Sequence, residues 1–228
     1  ISIMKHIALL TTLLLSASLQ AVEKPYDYVF FENSLMKGDY FYSQAKYTSP
    51  SWIKNARHHL PVAGSVAFTP GNSLELTYVS APGGDWYSEI QYCPVRGNDF
   101  FREPSTLSMQ VQLRESMNAA ALPNIAIRYA DSTYTQYLNL RNYLKDTRPG
   151  VWHSVSIPLK DFGLNAVNDT NIKKLAAVAL RPGTADGNEY TIYLDDIELL
   201  PASLPSVSAL NAPVLQEAKA YERHIDIK

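Results

Sequence analysis

Four polar side chains recur at alternate positions in one short stretch of this chain. In Tyr137-Leu138-Asn139-Leu140-Arg141-Asn142-Tyr143-Leu144, the residues Tyr137, Asn139, Arg141 and Tyr143 fall on one side of an extended backbone. Leu138, Leu140 and Leu144 fall on the other. Period-two alternation predicts a strand with one face in a core and one in solvent. Two rings, an amide and a guanidinium in one row have a definite chemistry: rings stack on apolar surfaces, and the other two groups hydrogen-bond. A sugar offers both kinds of surface, C–H faces and hydroxyl edges. Trp86 and Tyr87 follow the flexible Gly83-Gly84-Asp85 turn and add two candidate rings, with Trp52 and Tyr134 as further exposed-looking aromatics. Arg128, like Arg141, supplies forked donors suited to hydroxyls or a uronate carboxylate. Each of these residues also has a structural assignment. Trp86 can lid a core, and Arg128 and Arg141 can each pair with a nearby acid.

The spacing of other reactive residue types points away from catalysis. Glycoside hydrolysis needs two carboxylates flanking the scissile bond. Asp85, Glu89, Asp99, Glu103 and Glu115 are available, but nothing singles out a pair. His58, His59 and His153 make no zinc spacing with an acid or a cysteine. There is no Gly-x-Ser-x-Gly elbow and no phosphate loop.

The elements that must position the candidate residues are strands. Between about Tyr26 and Leu200, short alternating or β-branched runs are separated by Pro, Gly, Asn and Asp. Strands are expected at 28–31, 65–68, 73–79, 87–92, 105–113, 124–130, 135–144, 153–158, 176–181 and 190–199. Explicit turns stand between several of them, such as Thr69-Pro70-Gly71-Asn72 and Arg181-Pro182-Gly183. One helical turn is expected near 169–175, capped by Asp169 or Thr170. Regular strand spacing with little helix predicts an all-β, antiparallel β-sandwich.

Composition narrows the partners. The net charge of −2 gives no electrostatic reason to expect nucleic acid or an acidic membrane. Fifteen tyrosines are many for 228 residues and suit strand and binding surfaces. Met4-Lys5-His6 and the apolar run to Leu15, followed by Ser16, Ala17 and Ser18, read as a secretory signal over residues 1–21. That run is too short to span a bilayer comfortably. Cys93 stands alone, so no internal disulfide forms, and the expected location is secreted or periplasmic, in a bacterium. After the main domain (22–201), a Pro/Ser-rich stretch at 202–211 reads as a linker.

Three segments carry a family resemblance. Gly150-Val151-Trp152 leading to Ile157-Pro158-Leu159-Lys160-Asp161-Phe162 resembles a signature of galactose-binding-like jelly rolls, many of them carbohydrate-binding modules. Thr191 to Leu199, with Asp195-Asp196-Ile197, resembles their closing strand, and Val29-Phe30-Phe31-Glu32 their opening motif. The resemblance implies a non-catalytic, sugar-binding or accessory module whose partners are a polysaccharide or oligosaccharide and a catalytic domain in the same parent chain. It also implies a structural calcium held by Glu32 and Asp196. Ca²⁺ takes six to eight hard oxygens, so carboxylates from distant strands act as a staple. The competing assignment holds those carboxylates by backbone N–H groups. Residues 212–228 resemble the start of a fibronectin type III-like domain, and the layout is similar to exported bacterial proteins in which such domains precede a glucoamylase-like catalytic unit. Two other functions stay open: a spacer or protein-interaction domain without sugar affinity, and a small jelly-roll lyase or hydrolase.

Overall fold

The computed structural model describes residues 28–93, 103–165, 167 and 171–201. The expected signal segment, linker, fibronectin-like stretch and the Asp169/Thr170 cap lie outside the described residues. Twelve strands are described: β1 Tyr28–Phe31, β2 Ser43–Thr48, β3 Trp52–Ile53, β4 Val62–Ala63, β5 Ser73–Val79, β6 Asp85–Gln91, β7 Pro104–Leu113, β8 Asn124–Tyr129, β9 Leu138–Asn139, β10 Trp152–Pro158, β11 Leu175–Arg181 and β12 Glu189–Pro201. They form two antiparallel sheets. One runs β10-β7-β12-β5-β3, with β1 on β12 and β4 on β5. The other runs β2-β6-β11-β8-β9. The expected all-β sandwich is the fold observed.

Alternation places the core between these sheets. Leu74, Leu76 and Tyr78 on β5, Met109, Val111 and Leu113 on β7, and Ile192 and Leu194 on β12 point inward from the first sheet. Ala45, Trp86, Ile90, Ile125, Ile127, Val178 and Leu180 meet them from the second. Trp152 packs edge-on to Phe68.

Two expected strands are not formed as read. Residues 65–68 make a turn and bend, while the nearby β4 is only Val62–Ala63. The expected strand 135–144 is extended for two residues and then turns into a 3-10 helix, Leu140–Asn142. Asn139 causes the break. Its side-chain oxygen accepts the backbone N–H of Arg141 at 3.0 Å, capping the turn. The leucines still reach the core, Leu140 fully and Leu144 nearly so, but by a turn's spacing. The proposed row of Tyr137, Asn139, Arg141 and Tyr143 therefore does not exist as one sheet face. The helical turn at Ile172–Lys174 is a short 3-10 segment within the expected range.

Candidate functional site

The outward face of the five-stranded sheet carries a different cluster. On β6, Trp86 and Ile90 enter the core, so Tyr87 and Glu89 face out. Register places Ala179 of β11 beside Glu89, with Ala126 of β8 beyond it. Ala177 stands between Gln91 and Arg128. These alanines have no bulk, so side chains from the flanking strands meet above β11. Arg128 Nε donates to Glu89 Oε2 at 2.8 Å, with only 16% and 6% of the two side chains exposed. Tyr87 Oη donates to the same carboxylate, and Gln91 Nε2 donates to Glu89 Oε1 at 2.7 Å.

This network sets the charges. Burial alone would raise the Glu89 carboxyl, but the hydrogen bonds from Tyr87 and Gln91 and the Arg128 guanidinium outweigh it and hold it below the usual glutamate value. Burial, and then the bond to Glu89, push the Tyr87 phenol far up, so it stays a donor.

Beyond the ion pair the face becomes open and aromatic. After β8 the chain turns at Asp131–Thr133 and returns beside it, with Tyr134 opposite Arg128. Tyr134 and Tyr137 stack with ring centroids 6.0 Å apart, and they are 38% and 36% exposed. Arg181, at the end of β11, lies between two rings: its guanidinium carbon is 5.5 Å from the Tyr87 centroid and 5.7 Å from that of Tyr137. Its Nε donates to Tyr137 Oη at 3.1 Å and its Nη1 to Asp85 Oδ2 at 3.4 Å. Lys46 Nζ lies 5.0 Å over the Tyr87 ring.

A groove of about 450 Å³ opens next to this cluster, between the turn before β6 and the turn after β11. Gly83, Gly84, Asp85, Asn124, Tyr137 and Arg181 are among its lining residues. The arrangement offers stacking rings, forked donors and a carboxylate acceptor within one hollow. It suits a neutral, hydroxyl-rich ligand.

The sequence candidates scatter. Tyr87, Tyr137 and Arg128 belong to this face, Arg128 inside the ion pair rather than free for a ligand. Trp86 does not belong. It is 1% exposed, its Nε1 donates to Ser80 Oγ at 2.9 Å, and it packs on Tyr78. Its structural assignment is the correct one, because a strand cannot turn two successive side chains, Trp86 and Tyr87, to the same face. Asn139 spends its amide on Leu122 O and Asn124 Oδ1 and its carbonyl on the turn. Tyr143 donates to Asp161 Oδ2 at 3.0 Å and packs half-buried against the core. Arg141 is exposed on the 3-10 turn rather than on a sheet face. Sequence reasoning passed over Arg181 and Lys46. Arg181 had a signal, since it ends an apolar strand immediately before a Pro-Gly turn.

The residues implied for calcium sit where β1 meets β12, at an irregularity in the register beside Phe31 and Ile197. Glu32 is 8% exposed, and Asp196 adopts a positive φ of 46°. Thr69 Oγ1 donates to Asp196 Oδ2 at 2.7 Å. The neighbouring Asp195 accepts the N–H groups of Phe68, Thr69 and Asp196. Burial and then Asp196 push the Asp195 carboxyl up to about 7. Among the described residues no three His, Cys, Asp or Glu side chains converge as a metal site. Asp195 is thus held by three backbone N–H groups, while Asp196 takes the Thr69 hydroxyl.

Comparison with known proteins identifies the frame. Residues 27–200 match the family model described as Carbohydrate binding domain 30. The chain belongs to this family. The chain is also 99% identical over 225 residues to an exo β-1,2-glucooligosaccharide sophorohydrolase (non-reducing end) of Parabacteroides distasonis. That match covers 99% of this chain but 31% of the relative, so the chain spans about a third of its length. A crystal structure of a β-1,2-glucanase from Parabacteroides distasonis is 98% identical, with a TM-score of 0.78 over 83% of this chain and 27% of that one. The family 30 carbohydrate-binding module of a cellulosomal cellulase of Clostridium thermocellum shares the fold at 16% identity, with a TM-score of 0.56 over 78% of this chain and 99% of that one. No helix among the described residues is long and apolar enough to cross a membrane.

Proposed function

We propose that this module holds a β-1,2-linked glucan against the Tyr87–Tyr134–Tyr137–Arg181 cluster, as the non-catalytic part of a longer, exported glucan-degrading protein. The observation that carries the reading is the joining of exposed, stacked rings to unspent donors beside a groove of about 450 Å³. Small-ligand sites have this size and mixture of apolar walls with a few placed polar groups. The choice of glucan is supported by the near-identity to the Parabacteroides distasonis proteins, whose names specify β-1,2-glucans. Export is supported by the apolar run ending at Leu15, and a fibronectin-like second domain by the text after Ala212. Tethering such a module to a catalytic unit raises the local substrate concentration without new contacts to the reacting bond.

The test is retardation of the chain in a native gel cast with β-1,2-glucan. Wild type should be retarded. Tyr137→Ala, which removes a ring that stands outside the core cluster, should weaken binding roughly tenfold, about 1–2 kcal/mol of lost apolar contact. Unretarded wild type would remove the glucan from this proposal.

A further inference from the structure

The groove's walls are built to stay in place. The turn entering β6 is tied to the β2–β3 connection: Ala81 N donates to Ser51 Oγ at 2.9 Å, and that hydroxyl donates back to Ala81 O at 3.1 Å. A Cβ on Gly84 would run into the Ser51 amide, so the turn lies directly on that backbone. The opposite wall is tied just as closely. A Cβ on Gly183 would collide with the Leu122 carbonyl, and Thr184 N donates to Ala120 O at 2.8 Å. Asn124 Nδ2 donates to Pro182 O at 2.6 Å. Two rigid walls make a preformed hollow, and preorganisation spares a ligand the cost of ordering it.

Inside it the polar groups are matched. Arg181 has five N–H donors. Tyr137 and Asp85 take two of them. Its side chain is 43% exposed and that of Asp85 53%, so the remaining donors and a carboxylate acceptor face solvent side by side. A fork of donors next to an acceptor complements two adjacent hydroxyls on one ring, each accepting from the guanidinium while one donates to the carboxylate. We propose that this groove is a subsite reading a vicinal hydroxyl pair on a single sugar unit, with Arg181 as donor, Asp85 as acceptor and Tyr137 as the ring beneath. The proposal rests on the glucan-binding reading above and adds to it a rule of specificity.

Linkage chemistry makes the rule concrete. Every internal ring of a β-1,2-glucan keeps its 3-OH and 4-OH, an adjacent pair. Internal rings of a linear β-1,3-glucan keep the 2-OH, 4-OH and 6-OH, and no two of them are on neighbouring ring carbons. A β-1,4-glucan keeps an adjacent pair at the 2-OH and 3-OH. The centre of the sheet face is occupied by the Glu89–Arg128 pair, which leaves the groove as the place where one unit is gripped.

The test compares long linear β-1,2- and β-1,3-glucans by isothermal titration with the intact chain, its Arg181→Lys variant and its Asp85→Ala variant. Wild type should bind the β-1,2 polymer about tenfold or more tightly than the β-1,3 polymer, the scale of one charge-assisted hydrogen bond. Arg181→Lys keeps the charge but loses the fork, and should bring β-1,2 binding down to the β-1,3 level with the melting temperature unchanged. Asp85→Ala should do the same and serves if the lysine variant melts early. Equal binding of both polymers by wild type, or selectivity kept in both variants, would overturn this subsite while leaving glucan binding intact. Wild type that binds neither polymer would overturn both proposals.

Discussion

Replacing Glu89 with alanine should destabilise the domain by about 3–5 kcal/mol, since it strands a guanidinium that is largely out of water. Arg128 is 16% exposed, and its Nε donates to Glu89 at 2.8 Å. Tyr87 and Gln91 would lose the same acceptor. Urea unfolding measures the loss, and a change below about 1 kcal/mol would contradict it. The double variant Glu89→Leu/Arg128→Met should recover most of the stability, because a buried ion pair is dispensable when both charges go together. The pH profile adds a sign. The Glu89 carboxyl is lowered in the fold, so its contribution is fully present above the ordinary glutamate value of 4.5 and is lost as pH falls through the still lower folded value. In Glu89→Gln that acid-side loss should be reduced.

Trp86→Ala should cost a similar amount, about 3–5 kcal/mol, as the emptying of a large buried side chain. The indole is 1% exposed, packs 4.8 Å from the Tyr78 ring and donates to Ser80. Trp86→Phe should be milder, losing that donor and part of the volume. The folded fraction of either variant should bind glucan as wild type does. A variant of unchanged stability with lost binding would return Trp86 to the surface role its position after a Gly-Gly turn suggests.

The fold was legible because alternation is local. Eight expected strands appear within a few residues of their read bounds, and the Ile157-Pro158 and Asp195-Asp196-Ile197 segments fall on β10 and at the β1–β12 junction. β2 and β3 were not read, since Ser43–Thr48 is polar and Trp52–Ile53 is two residues long. The binding face was only partly legible. Its members come from β2, β6, β8, β11 and the return stretch before β9, and strand order is not written in any one segment. Within β6 the pattern Trp86, Ser88, Ile90 against Tyr87, Glu89, Gln91 was readable and would have assigned Trp86 inward. Around Asn139 the apparent row failed for a different reason: a residue able to cap a turn did so, and local hydrogen bonding won over alternation. Tyr137 stayed on the face because it precedes that turn.

The central claim, that sugar is held on the outward face at the Tyr137–Arg181 end, is tested most directly by amide chemical-shift mapping. The isotope-labelled chain would be titrated with β-1,2-gluco-oligosaccharide. Saturable shifts should cluster at 83–85, 134–137 and 181–185. Shifts that saturate instead on the β7–β10 side of the other sheet, or no saturable shifts at all, would contradict it.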